Sequence, residues 1–437
     1  MKFYSTNSPL VKVDFKEAVF NSFPADKGLY MPEEIPVLAN SFIENIEKYS
    51  LPEIAFEVAR SLLKGSIPEY DLQEIIEDAF DFPAPLIKLD NNISVLELFH
   101  GPSLAFKDFG ARFMSRVMSY FLKKDDRILD VLVATSGDTG GAVALGFLGV
   151  PGTRVTILYP EGKVSDIQEQ QLTTNGQNIR AVAVKGTFDD CQSLVKKAFT
   201  DKELNDALRL TSANSINIAR LIPQTFYYFN AYAALKREGR SDVVFSVPSG
   251  NFGNIAAGLL AWKMGLPVKQ FLAATNVNDT VPVFLETGDF KPKSSVQTFS
   301  NAMDVGDPSN WIRIMELFNN NLSELKKKLL AYSYNDGQTL AAMNEIGERY
   351  NYVACPHTAI AWMALEDWFK ENPDDQSAGV FLSTAHPCKF PEVIPQHLSS
   401  LINIPDQVIA LKNRKAQFDV IEPDFETFKS FLLSANR

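Results

Sequence analysis

Hydrophobic positions along the chain follow different rules before and after residue 92. Up to there, short stretches at helical spacing (15–20, 51–63 and 72–80) alternate with proline-bearing connectors, and Pro83-Ala-Pro85 marks a joint. From 107 to about 122 the spacing predicts a helix with two apolar stripes. One is Phe106, Phe109, Phe113, Val117 and Phe121; the other runs Ala111, Met114 and Met118 and begins at Lys107. Asp108, Arg112, Ser115 and Ser119 make up the remaining face, expected to meet water. Lys107 therefore opens a line of buried positions.

Beyond that helix, continuous apolar runs alternate with helical spacing. Strands are predicted over 128–134, 155–158, 179–184, 243–247, 271–274 and 379–384. Helices are predicted over 142–148, 166–174, 189–199, 216–235 and 255–264, and the stretch 311–368 reads as mostly helical. The alternation implies an α/β fold with parallel sheet wrapped on both faces. Ligands in such folds sit at the carboxyl ends of strands. Two glycine-bearing loops fall there, Thr135-Ser-Gly-Asp-Thr-Gly-Gly141 and Pro248-Ser-Gly-Asn-Phe-Gly-Asn254. The chain divides into 1–92, 93–240 with Lys107 and the first loop, and 241–437 with the second loop and a helical C-terminal part.

Composition narrows the class. Hydrophobic residues at 46% and charged residues at 22% fit a soluble globular protein. A net charge of −11 and pI near 5.1 argue against nucleic acid or an anionic membrane as partner. An anionic substrate would need a local basic pocket. Cys191, Cys355 and Cys388 are few, odd in number and widely spaced, which suits a reducing compartment. The start, Met1-Lys-Phe-Tyr-Ser-Thr-Asn-Ser, has no apolar signal core, and no apolar run reaches spanning length. A cytoplasmic monomer or small homo-oligomer is expected. His357 and His386 lie near cysteines without zinc spacing, so no metal is expected. His100, beside Gly-Pro, reads as a turn residue.

Each candidate has a chemical use and a structural one. A buried amine at Lys107 loses hydration, its pKa falls, and it becomes a nucleophile toward carbonyls; otherwise it snorkels from a helix end. Ser249-Gly-Asn-Phe-Gly-Asn254 offers backbone amides at a helix start to a phosphate. It lacks the P-loop lysine and the dinucleotide spacing, leaving a small phosphate monoester or a plain turn. The first loop suits a carboxylate, or supplies an N-cap from Ser136, Asp138 or Thr139. Asn214-Ser-Ile-Asn-Ile-Ala-Arg220 can clamp a second phosphate, or place a surface arginine. Lys163 is a further cation, or an ordinary surface lysine.

Taken together, an early lysine, a Ser-Gly-Asp-Thr-Gly loop, a Gly-Asn-Phe-Gly loop and a late Ser-Thr strand end resemble the fold-type-II pyridoxal-phosphate enzymes, of tryptophan synthase β-like fold. The longer strings His100-Gly-Pro-Ser-Leu-Ala-Phe-Lys-Asp-Phe-Gly, Ala134-Thr-Ser-Gly-Asp-Thr-Gly, Ser212-Ala-Asn-Ser-Ile-Asn, Pro248-Ser-Gly-Asn-Phe-Gly and Ala274-Thr-Asn-Val-Asn-Asp-Thr280 resemble the bacterial and fungal threonine synthase family. That resemblance extends to Asp26-Lys-Gly-Leu-Tyr-Met-Pro32, in an N-terminal domain of the family's own.

The resemblance implies pyridoxal 5′-phosphate held by Lys107 as a Schiff base, with its phosphate on Gly250, Asn251, Phe252, Gly253 and Asn254. Thr384 would lie beside the pyridine nitrogen, where a hydroxyl cannot hold that nitrogen protonated as a carboxylate would. Ser136, Gly137, Asp138 and Thr139 would hold the substrate carboxylate. Asn214, Ser215 and Arg220, with Lys163, would hold the substrate phosphate. Asp138 departs from the wider fold, where most relatives carry Asn, and its role is open. The implied reaction converts O-phospho-L-homoserine and water to L-threonine and phosphate, the last step of threonine biosynthesis. The freed Lys107 amine would take the Cα proton, phosphate would leave Cγ and water would add at Cβ, with the Ser136 loop closing over the substrate. Alternatives are a phospho-lyase giving 2-oxobutyrate, another fold-type-II dehydratase, or a binding protein that keeps the fold.

Overall fold

The computed structural model describes residues 1–123, 127–411 and 413–434. Near the N-terminus β1 (Phe3–Ser5), β2 (Ser8–Val13) and β3 (Tyr30–Pro32) pair antiparallel in the order β2-β1-β3. The first half continues with β4 (Leu86–Lys88), β5 (Ile93–Glu97), β6 (Leu129–Ala134), β7 (Thr153–Pro160), β8 (Ile179–Val184) and β9 (Arg209–Ser212). The second half adds β10 (Val243–Pro248), β11 (Gln270–Thr275), β12 (Leu329–Ser333), β13 (Ala378–Ser383) and β14 (Asp419–Ile421).

These strands make two larger sheets. One, ordered β14-β8-β7-β6-β9, is parallel throughout. The other, ordered β12-β11-β10-β13-β5-β4, is parallel except at β4, which runs against β5. Every residue of β6, β10 and β13 is buried, as parallel strands covered on both faces require. The chain changes sheet more than once: β5 joins strands from the second half, and β14 joins strands from the first.

The helix Lys107–Leu122 starts and stops where its spacing predicts. Its polar face is a correction. Asp108, Arg112 and Ser115 are buried rather than wet, and Ser119 is half-buried. The helix packs against the helices Asp138–Phe147, Ile218–Leu221 and Glu69–Ala79, which leave it partly open to water only at Lys107 and, in its C-terminal half, at Arg116, Ser119, Tyr120 and Phe121. Most of its polar atoms are served internally: Arg112 Nε donates to the Ala79 carbonyl at 2.8 Å and Ser115 Oγ to the Arg112 carbonyl at 2.8 Å, while Asp108 Oδ1 is left without a partner among the described residues. Phe109 meets the Phe80, Phe82 and Tyr227 rings at centroid distances of 5.7, 4.9 and 5.2 Å.

Other differences have local causes. The predicted helix over 216–235 is three pieces, Ile218–Leu221, a 3-10 turn Ile222–Thr225, and Phe226–Arg237. Pro223 has no N–H to continue the first piece. The helix Asp138–Phe147 begins before 142, because Thr135 Oγ1 accepts the amides of Gly137 and Gly140, each at 2.9 Å. None of Ser136, Asp138 or Thr139 caps it. Within 311–368 lies β12, a half-buried edge strand with no clean alternation to announce it. β1 to β3 escaped prediction because they are short and β2 is mostly exposed. No helix among the described residues is long and apolar enough to cross a membrane.

Candidate active site

Three loops at strand ends converge. Lys107, at the first position of its helix, directs Nζ to 3.9 Å from Asp138 Oδ2, in the first turn of the neighbouring helix. Burial pushes the amine down to about 8; Asp138 opposes this, while Lys389 and Arg220 reinforce it. Asp138 is almost fully buried, which works against its charge. Lys389 and Lys107 outweigh that cost and hold its carboxyl well below the usual carboxylate range. Lys389 Nζ lies 2.6 Å from Asp138 Oδ1, and Gln168 Nε2 donates to the same oxygen at 3.0 Å. Gly137, at φ +131°, has no room for a side chain: a Cβ would lie 2.4 Å from the Gln168 amide carbon. The Ser136 and Thr139 hydroxyls, both half-buried, make no hydrogen bond to another described residue.

The second loop follows β10 and opens the helix Gly253–Lys263. That helix has no acidic residue in its first turn and no side-chain cap. Phe252 takes the left-handed conformation at φ 57°, with its ring edge-on to Trp311 at 5.6 Å. A Cβ on Gly250 would lie 2.6 Å from the Met303 Cα, so the loop is pressed against backbone. The Tyr227 and Tyr228 hydroxyls each donate to Asn254 Oδ1 at 2.7 Å, leaving the buried Nδ2 without a partner among the described residues.

The third loop, after β9, ties the other two together. Asn251 Nδ2 donates to Ser215 Oγ at 2.5 Å. Asn214 Nδ2 donates to the Ala134 carbonyl at 2.8 Å and its Oδ1 accepts the Ala134 amide at 3.3 Å, so both ends of that side chain hold the end of β6. Arg220 is buried, donates to the Ala213 carbonyl, and leaves Nε unpartnered among the described residues. Burial lowers its pKa to about 10, against the pull of Asp108. Thr384 follows directly on β13 and accepts the Phe106 amide on its carbonyl at 2.9 Å, just before Lys107. Lys163 stands apart: it is exposed in the turn after β7, its field falling on Asp190 and Cys191.

Comparison with known proteins agrees with this geometry. The pyridoxal-phosphate-dependent enzyme family matches residues 80–383, "Threonine synthase N terminus" matches 2–80, and "Threonine synthase, C-terminal" matches 358–432. A threonine synthase of Haemophilus influenzae is 45% identical over 438 residues, covering 100% of both chains. The chain belongs to the threonine synthase family. Among solved structures, threonine synthase from Escherichia coli matches with a TM-score of 0.91 at 41% identity, covering 100% of each chain. The pyridoxal-phosphate-bound threonine synthase from Brucella melitensis matches with a TM-score of 0.92 at 34% identity, again over 100% of each. The two larger sheets, parallel apart from β4, are those of a fold-type-II enzyme, carrying the N-terminal part that marks threonine synthases.

The residues present fit the family's cofactor. A small phosphate suits the second loop, where uncapped helix amides, the unpartnered Asn254 Nδ2 and a glycine with no room for a Cβ meet. An amine of lowered pKa suits an aldehyde. Several site residues are not legible as such in the sequence. Lys389 is fully buried, and its one signal is a lysine between the buried Cys388 and Phe390. His357 accepts the Ala302 amide on Nε2 at 3.3 Å, and burial, opposed by Asp138 and aided by Lys107 and Lys389, pushes it down to about 4. Arg313, also fully buried, donates to the carbonyls of Tyr30, Ser215 and Ile216 and to Asn310 Oδ1 at 3.1, 3.3, 2.7 and 2.7 Å. Asn310 Nδ2 in turn donates to the Asn251 carbonyl at 3.1 Å.

Proposed function

We propose that the chain uses pyridoxal 5′-phosphate to convert O-phospho-L-homoserine and water to L-threonine and phosphate. The observation that carries this is the meeting of Lys107 and the three loops in a chain matched over its whole length by threonine synthases. Bound pyridoxal phosphate supplies an aldehyde that captures an amine and a conjugated ring that spreads the charge left when a proton leaves Cα. The protein supplies the rest. Lys107 holds the aldehyde and, once displaced by substrate, takes the Cα proton with an amine already largely stripped of water. Gly250, Asn251, Phe252, Gly253 and Asn254 would hold the cofactor phosphate, and Thr384 would serve the ring nitrogen. The hydroxyls of Ser136 and Thr139, with Gly137 and the helix start at Asp138, hold the substrate carboxylate.

Ser215 and Arg220 hold the substrate phosphate, and Asn214 keeps their loop in place through Ala134. The phosphate is both handle and leaving group, so binding energy remote from Cα helps drive the chemistry. Three buried free cysteines, Cys191, Cys355 and Cys388, support a cytoplasmic setting. The deciding experiment is incubation of the purified chain with pyridoxal phosphate and O-phosphohomoserine, with the product identified. Threonine and phosphate in equal amounts are expected; 2-oxobutyrate as the main product would overturn the reading.

A further inference from the structure

Asp138 carries two lysines on one carboxylate. Lys389 Nζ is 2.6 Å from Oδ1 and has no exposed surface; Lys107 Nζ is 3.9 Å from Oδ2 and keeps 15% of its side chain exposed. Lys389 also donates to the Ser103 carbonyl at 2.9 Å, and Gln171 Nε2 donates to that same carbonyl at 3.0 Å. The Ser103 amide donates to Asp108 Oδ2 at 2.9 Å. Lys389 thus joins the segment before Lys107 to the start of the Asp138 helix.

We infer that Lys389 is a positioning residue for the Lys107 amine: it commits one oxygen of Asp138, leaves the other facing Lys107, and by its own charge disfavours a second proton-bearing lysine on the same carboxylate. One carboxylate cannot balance two ammonium groups out of water. The closer contact, from Lys389, satisfies one oxygen of the carboxylate, and the more distant amine of Lys107 is left with the weaker balance for its own charge. The other charged or titratable groups facing this corner are Arg220 from the helix Ile218–Leu221, His357 and Cys355 at the start of the helix Pro356–Glu371, His386 and Cys388 beside Lys389, and Asp108 from the helix of Lys107 itself; burial raises both thiols and keeps them neutral. Arg220 adds to the effect of Lys389. Burial pushes the His357 imidazole down to about 4, so it is neutral at the pH of the Lys107 midpoint; the Asp108 carboxyl, pushed up to about 6, is ionised there, and its field falls on Arg220. This inference deepens the proposed function and rests on Lys107 being the cofactor lysine.

The test measures the amine itself. The full chain, freed of cofactor, is labelled with dinitrofluorobenzene across a pH series, and modification of the Lys107 peptide is followed by mass. The wild-type midpoint is expected near pH 8. Lys389→Met should raise it by about one unit, slowing labelling on the acid side about tenfold. Asp138→Asn should lower it, and Lys389→Met combined with Asp138→Asn should bring it back toward the wild-type value. Lys389→Arg should stay near wild type. A merely structural role predicts otherwise: either no shift in Lys389→Met, or a rise that the added Asp138→Asn fails to reverse, and either result overturns the inference. Because the midpoint is read without turnover, its failure is distinct from failure of the proposed reaction, which product analysis reports.

Discussion

Two loops occupy equivalent places, each following a buried parallel strand and opening a helix, yet they are electrostatic opposites. The loop after β6 brings its own anion: Asp138 lies in the first turn of its helix, where the helix end favours negative charge, and is balanced by Lys389 and Lys107. The loop after β10 brings none. Its helix start is uncapped, Asn254 leaves a donor open, and Arg313 behind it makes its hydrogen bonds to carbonyl and amide oxygens. Burial without a carboxylate lowers the Arg313 pKa to about 9. Topology provides two helix starts that favour an anion: one carries a carboxylate of its own beside the Lys107 amine, and the other is left open, as the proposed phosphate site requires.

Substitutions on either side of this contrast should separate the two roles. The largest effect is expected for Lys107→Ala, beside that carboxylate: turnover of O-phosphohomoserine should fall ~10^3-fold or more, the scale of losing a positioned base and nucleophile. Cofactor phosphate should still bind at the other loop, as fluorescence titration would show. Next comes Arg313→Met, which leaves the Tyr30, Ser215 and Ile216 carbonyls short of donors. About 3 kcal/mol of stability should be lost in denaturant unfolding, with weaker cofactor binding. Gly250→Ala should follow. A Cβ held 2.6 Å from the Met303 Cα must displace backbone, an overpacking cost of roughly 1–3 kcal/mol. It should appear as cofactor affinity reduced about tenfold or more, with the Lys107 labelling midpoint unchanged. The smallest effect belongs to Lys163→Ala, exposed and outside both loops, which should change KM by less than about twofold.

Much of this was legible in the chain's pattern. The extent of the Lys107 helix, the strands flanking both loops and the loops themselves follow from period and glycine placement. What escaped did so for stated reasons. A period of three and four assigns Asp108, Arg112 and Ser115 to one face, but cannot report that another layer of helices covers that face. Pro223 breaks a helix that its apolar neighbours extend. Lys389, His357 and Arg313 enter the site from sequence positions far from Lys107, and the cluster exists only once β13 lies beside β5 and the loop over Gly250 reaches His357. Long-range contacts leave no local spacing to read. Residues 2–80 look chemically silent in sequence, and their contributions include the Tyr30 carbonyl on Arg313, the Ala79 carbonyl on Arg112, and aromatic packing of Phe80 on Phe109 and of Phe15 and Phe20 against Phe121 at 6.1 and 6.2 Å.

The account depends on where the aldehyde of the cofactor attaches. Borohydride reduction of the chain loaded with pyridoxal phosphate, followed by peptide mass mapping, reads this directly. A single reduced adduct on Lys107 is the predicted result. An adduct on Lys389 or any other lysine with Lys107 left unmodified, or no adduct at all, would contradict it.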